Sequence, residues 1–385
     1  MSRPDGVLSL PGPERLLESI AGDIEAGRSA VVVFPQVAID SGFADGLLAN
    51  LGERVGAEAC LPPLRNDRRN LPERLADLAR AGPFNPGFDP WRDLVNWVGS
   101  SGLRVLLRSW NEPLDDVVRR WAALLHEAGH EPSERPALIL GIDSQTADRT
   151  RVEFEDALFL RDHWWWGTIN RLDTAVHVHR TGMTVSTLHL AAVEEVAAWD
   201  LELAAALSHR WDGTRSKLPD VLSALRSPPI ELAEHAASAA GASDSLRPPR
   251  SARSDWDAGL VEAWDGRLRW RTDAPTRTET LDKLLWRAQS RVVMSHLDEQ
   301  RTRLADEFVR RARADVLRAF EIERGENAIW ELGDMHHRVV TGQVKLAAPI
   351  SNYLATARKV RNAIAHGRPA RDGDLRRLMA GYPDV

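Results

Sequence analysis

Apolar positions in the first half of the chain alternate between two spacings. Leu16, Leu17, Ile20 and Ile24 recur at helical intervals across 13–26, and SAVVVF (29–34) follows as a short, wholly apolar run between Gly27 and Pro35. Such a run suits a strand covered on both faces of a parallel sheet. Helical periodicity returns over 43–55, 71–81 and 114–128. Further strand patterns fall at 58–61, 103–107 (LRVLL), 137–142 (ALILGI) and 157–160. This rhythm predicts an α/β fold with a mainly parallel sheet flanked by helices.

Beyond residue 184 the spacing is helical, over 184–206, 218–225 and 230–240. AASAAGASDSLRPPRSARSD (236–255) has no apolar period, and its Ala, Ser, Gly and Pro content marks a linker or flexible loop. LVEAWDGRLRWR (260–271) has the form of a small hairpin turning at Asp265-Gly266. Residues 278–320 lack Pro and Gly and read as one long helix or two in tandem, with further helices at about 325–338, 348–366 and 373–380. The pattern divides the chain into an α/β domain (1–183), a helical extension (184–237), a linker (238–257) and an all-α domain (258–385).

Composition narrows the chemistry. Cys60 is the single cysteine among 385 residues, which excludes an intrachain disulfide framework and a Cys-based zinc cluster. The first 216 residues contain no lysine, so a Schiff base or a phosphate-gripping P-loop lysine is excluded there. Neither a signal-peptide core nor a membrane-length apolar run is present, so a cytoplasmic protein without membrane partners is expected. A net charge of −6 argues against coating nucleic acid over the whole surface.

The most informative segment is ISNYLATARKVRNAIAHGRP (350–369). Ile350, Leu354, Ala357, Val360 and Ile364 give an amphipathic helix, Gly367 is placed to end it, and Pro369 blocks continuation. His366 then sits at the helix C-terminus, where the dipole favours its charged form. Seven basic residues (Arg358, Lys359, Arg361, Arg368, Arg371, Arg376, Arg377) face three acids in the last 36 residues, a local basic patch suited to phosphate. Arg361-Asn362-Ala363-Ile364-Ala365-His366 resembles the R-x4–6-H motif of the HEPN superfamily. That resemblance covers the final 60–120 residues. It implies a helical bundle that often dimerises, placing two motifs in one cleft, and a metal-independent endoribonuclease of phage-defence or toxin–antitoxin systems. Arg361 would contact phosphate, His366 would transfer a proton, Asn362 would orient, and Arg358, Lys359 and Arg368 would hold RNA. A homodimer, an antitoxin or other protein partner, RNA, and no cofactor are the corresponding expectations. His336-His337, on the preceding helix, could face the same cleft. The alternative is a non-catalytic bundle used for dimerisation or docking.

The layout of strand SAVVVF and the helix after it resembles a P-loop NTPase, loosely of the AAA+ and STAND types. G-x-x-x-x-G-K-[ST] is missing, and the third strand ends in Arg108-Ser109-Trp110 instead of a Mg²⁺-holding carboxylate. The expectation is a non-hydrolysing scaffold, with Asp143-Ser144 at the functional edge of the sheet. His126-Glu127-Ala128-Gly129-His130 matches H-E-x-x-H, which would make a zinc hydrolase if both histidines shared a helix face and Glu153 or Glu155 completed the set. In Arg161-Asp162-His163-Trp164-Trp165-Trp166-Gly167, three consecutive tryptophans should not share one core, so at least one is expected to meet another domain or subunit or to stack on a base. His177-Val178-His179 alternates as a strand would.

Overall fold

The all-apolar run becomes the central strand of a sheet because its β-branched side chains pack on both faces. The computed structural model describes residues 4–64, 66–79, 82–110, 113–150, 159–225, 246–272, 277–325 and 328–382. In chain order the first part holds α1 (Pro4–Leu8), α2 (Pro11–Glu25), β1 (Ser29–Phe34), α3 (Gln36–Asp40), α4 (Phe43–Val55), β2 (Glu58–Ala59), α5 (Leu71–Leu78) and α6 (Pro90–Asn96). It continues with β3 (Arg104–Arg108), α7 (Asp115–Ala128), β4 (Ala137–Asp143), α8 (Ser144–Thr150), β5 (Leu160–Trp164) and α9 (Arg171–Arg180). All five strands are parallel, in the order β2-β3-β4-β1-β5. Every residue of β1 is buried. Ser29 is tolerated at its start because its Oγ accepts from Trp121 Nε1 (2.8 Å) and Leu138 N (3.0 Å).

The helices α10 (Thr187–Ala197), α11 (Leu201–Arg210) and α12 (Leu218–Leu225) come next. After them stand α13 (Arg253–Asp257), β6 (Val261–Trp264), β7 (Arg267–Trp270), α14 (Thr278–Arg311), α15 (Ala314–Arg324), α16 (Leu332–Val340), α17 (Ala348–Ala365) and α18 (Asp372–Met379). Where the pattern suggests one helix over 184–206, the chain breaks at Ala198 (φ 52°), and Asp200 caps α11 by accepting from Leu203 N at 2.9 Å.

Two compact units result: residues 1–177 with 232–271, and residues 178–231 with 272–385. The sequence pattern draws its divisions at 183/184, 237/238 and 257/258 instead. The expected helix at 230–240 and residues 238–245 of the expected linker lie outside the described residues. The rest of that segment is built in: α13 carries Trp256, which is 1% exposed. Its low apolar content hid a single large anchor.

Trp256 also corrects the reading of the tryptophan run. Trp164 and Trp166 pack on Trp256 at centroid distances of 5.7 and 6.1 Å, and Trp165 packs on Phe43 at 4.9 Å. All three are buried within the first unit, because alternation sends 164 and 166 to one side and 165 to the other, and each side is covered. His177 and His179 lie on helix α9, not on a strand.

The β6–β7 hairpin forms as its Asp-Gly turn predicts, with Asp265 and Gly266 both at positive φ (54° and 70°). Glu262 anchors it: Oε1 accepts from Gly167 N (2.7 Å) and Ala263 N (3.1 Å), and Oε2 from Trp256 Nε1 (3.2 Å). Burial pushes this carboxyl up to about 8, against the three N–H groups that favour the anion. The folded protein therefore holds a proton that the unfolded chain releases at an ordinary carboxyl pKa. The stabilisation is complete at acid pH and is lost as pH rises through 8. The melting temperature is expected to fall between pH 5 and 8.5, and Glu262→Gln, an isostere of the protonated form, should flatten that slope. An equally steep slope in the variant would contradict this assignment.

Candidate functional site

The second unit is organised by α14, which contributes to two cores. Leu281, Leu284, Leu285 and Ala288 pack with α10, α11 and α12. Val293, Leu297, Leu304 and Phe308 pack with α15–α18. Against this second half lies α17, whose buried stripe is Ile350, Tyr353, Leu354, Ala357, Val360 and Ile364. Tyr353 is pushed up to about 12 by burial, and its hydroxyl donates to Leu378 O at 3.4 Å, tying α17 to α18.

The end of α17 is a Schellman turn. Gly367 N donates to Ile364 O and Arg368 N to Ala363 O, both at 3.0 Å, and Gly367 takes the required positive φ of 71°. Two α14 side chains fix this turn from the core side. Trp286 Nε1 donates to Ile364 O and Gln289 Oε1 accepts from Ala370 N, each at 2.7 Å. Nothing in the sequence marks Trp286 or Gln289 for this role; they are spaced like any other inward pair on a long helix.

The clamp presents a set of basic side chains. Arg358, Lys359, Arg361, His366 and Arg368 are exposed, and Asn362 is half-buried. Successive helical residues are about 100° apart, so Arg361 and His366 leave α17 about 140° from one another. Lys359 and Ala363 lie on one flank of the buried stripe and Arg361 on the other. Beside Lys359 and Ala363 is an open groove of about 630 Å³, also lined by Arg368, Arg371, Arg215, Asp282 and Asp374. Its carboxylates are occupied. Arg215 grips Asp282 with two hydrogen bonds of 2.6 and 2.5 Å, and Arg377 holds Asp374 at 2.5 Å. Lys359, Arg368 and Arg371 have no carboxylate partner among the described residues. On the other side, Arg358 Nη1 lies 3.3 Å from His336 Nδ1, and burial followed by the charge of Arg358 lowers the His336 pKa, so the neutral ring accepts. The structure thus brings Lys359 and Arg368 together, adds Arg371 and Arg215, and places Arg358 with His336 elsewhere. Arg371 was visible only as one of many C-terminal basic residues.

The H-E-x-x-H residues are not gathered for a metal. Helix α7 ends at Ala128, with Gly129 in the left-handed conformation (φ 66°), so His130 leaves the helical face of His126. His130 Nε2 is 2.8 Å from Val95 O, and Glu127 is paired with Arg92 at 2.7 Å. Glu153 and Glu155 lie outside the described residues. Among the described residues no group of three or more His, Cys, Asp or Glu could hold a metal ion.

In the sheet, the chain leaves β1 toward β2 at one edge and leaves β4 past β1 toward β5. The carboxyl ends of β1 and β4 are thus the switch point where parallel sheets commonly bind ligands. There the chain supplies its own partners for the polar groups. Asp257 accepts from Ser144 Oγ (2.5 Å) and from Gln36 N (3.4 Å), while Asp143 caps Thr146 through its N (2.7 Å) and Oγ1 (2.8 Å). At the third strand, Arg108 is paired with Asp45 at 3.1 Å.

No family model matches the chain, and no curated protein matches it in sequence. Among the described residues no helix is long and apolar enough to cross a membrane.

Gln289 carries a direct test of the clamp. Gln289→Leu leaves a buried backbone N–H without a partner, a loss of about 1–3 kcal/mol. The melting temperature should fall, and amide exchange over 366–371 should accelerate selectively. Unchanged exchange in that turn would show that the clamp does not hold it.

Proposed function

We propose that the second unit binds RNA and cuts it without a metal, in the manner of the HEPN superfamily that its motif resembles. The observation that carries this reading is the row of exposed cations without carboxylate partners on and just beyond α17, held on a clamped turn. Single-stranded RNA lies along the groove with phosphates on Lys359, Arg368 and Arg371, since guanidinium forks match phosphate oxygens. Arg358 extends the basic surface on the other side of α17.

Attack of a 2′-OH on its phosphate needs a proton acceptor and a cation for the developing charge. His366 is the proton-transfer group, Arg361 the cation and Asn362 the orienting hydrogen-bonder. Because Arg361 and His366 diverge within one chain, the cleft is completed by the second copy of the bundle that the resemblance implies. The α/β unit acts as a non-hydrolysing scaffold or sensor. Two features support this: it lacks lysine, and Asp257 occupies its switch point. A phage-defence or toxin setting, with a protein partner, follows from the same resemblance. The same divergence of Arg361 and His366 favours a second reading, a bundle that docks or dimerises without cutting.

The full chain is to be incubated with total RNA and a tRNA pool, with and without EDTA. Cleavage should persist in EDTA and drop by about two orders of magnitude or more in Arg361→Ala and in His366→Ala. Cleavage abolished by EDTA, or undiminished in both variants, would contradict the proposal. RNA binding without any cleavage would select the docking reading.

A further inference from the structure

Cutting RNA through a 2′-OH moves two protons. The hydroxyl loses one as its oxygen bonds to phosphorus, and the 5′-oxygen gains one as its own bond to phosphorus breaks. His366 stands at the C-terminal end of α17, where the dipole favours the charged ring, so it is suited to giving a proton and not to taking one. The other transfer calls for a neutral imidazole beside a phosphate-binding cation.

His336 of α16 is such a ring. It is half-buried, and its Nδ1 lies 3.3 Å from Nη1 of Arg358 on α17. A guanidinium only donates, so Nδ1 keeps its lone pair. Other histidines of the chain sit against oxygens: His163 against the Asp23 carboxylate (3.0 Å) and His130 against Val95 O (2.8 Å). His336 has no carboxylate or carbonyl partner among the described residues. Burial disfavours a second proton on the ring, and so do the charges that reach it from Arg358 and Lys359 of α17 and from His337 of its own helix, so its pKa is lowered. Arg358 forms no ion pair among the described residues. Arg361 follows it by just under one turn on the same flank of α17.

We propose that His336 is the catalytic base of the nuclease site: the 2′-OH gives its proton to Nδ1 while Arg358 turns from the ring to an oxygen of the adjoining phosphate. Hydroxyl and phosphate are neighbours on one nucleotide, as their acceptor and donor are neighbours across α16 and α17. The new 2′-O–P bond displaces the 5′-oxygen, which leaves with a proton from His366, and Arg361 faces the charge that develops on the phosphate oxygens. The products are a 2′,3′-cyclic phosphate and a 5′-hydroxyl. His336 ends protonated and His366 neutral, and exchange with water restores both. This assignment rests on the nuclease reading of the second unit and adds the base to it.

The test uses initial rates of tRNA-pool cleavage by the full chain in EDTA, from mildly acid to neutral pH. The wild-type rate should rise with pH, since the base acts when neutral, and the rise should lie below the ordinary imidazole range. His336→Ala should lose about two orders of magnitude in rate, and the acidic limb with it. His336→Asn keeps an acceptor for Arg358 but no base, so it should be as slow as the alanine variant. Added imidazole should restore part of the activity of His336→Ala and none of that lost in Arg361→Ala. His337→Ala should cut at the wild-type rate. Circular dichroism melts check that the variants are folded. Activity retained in His336→Asn would make the ring a structural acceptor and overturn the assignment. So would an unchanged acidic limb in His336→Ala, no response to imidazole, or an equal loss in His337→Ala. In each of these cases the wild type still cuts RNA; a wild type that cuts none would overturn the nuclease reading and the base assignment with it.

Discussion

The chemistry assigned to the second unit depends on how one helix end is held. The last carbonyls of α17 would be left to solvent without a terminating structure. A glycine turn satisfies Ala363 O and Ile364 O, Trp286 of α14 donates a second bond to Ile364 O, and Gln289 of α14 accepts from Ala370 N just beyond the turn. Because α14 runs for 34 residues, its first half is fixed in one hydrophobic cluster and its second half in another. The turn carrying His366 and Arg368 is therefore referenced to a rigid element packed along most of its length.

Electrostatics then separates surfaces of different character. An arginine-rich chain ordinarily neutralises its cations locally, and this one does so at Arg215–Asp282 and Arg291–Glu194. Lys359, Arg368 and Arg371 stand apart as cations facing a groove without carboxylate partners among the described residues. The α/β unit shows the opposite arrangement at its switch point, where an internal carboxylate, Asp257, takes the amide and hydroxyl donors that a ligand would use.

Much of the fold was legible because single elements carried strong local signals. SAVVVF, the periodic stretch at 43–55 and the Asp265-Gly266 turn each formed at the expected place, since buried β-branched runs, amphipathic periods and type I′ turns need little outside help. The break at Ala198 was not legible, because nothing in an alanine announces a positive φ. The residues around Trp256 read as linker because local composition cannot show one tryptophan filling a distant gap. At the site, Arg361, Asn362, His366 and the Gly367 turn were visible in the motif. The Gln289 clamp and the Arg215–Asp282 pair were not, because they arise from contacts between residues 81 and 67 positions apart.

The central claim is that Lys359, Arg368 and Arg371 bind RNA phosphates. It is tested most directly by the salt dependence of affinity for a single-stranded RNA, comparing the wild type with the triple alanine variant. Each phosphate contact to a single strand contributes a slope of about 0.7 in log K against log salt, so the account predicts that the slope falls by about 2. An unchanged slope, with both proteins folded, would contradict it.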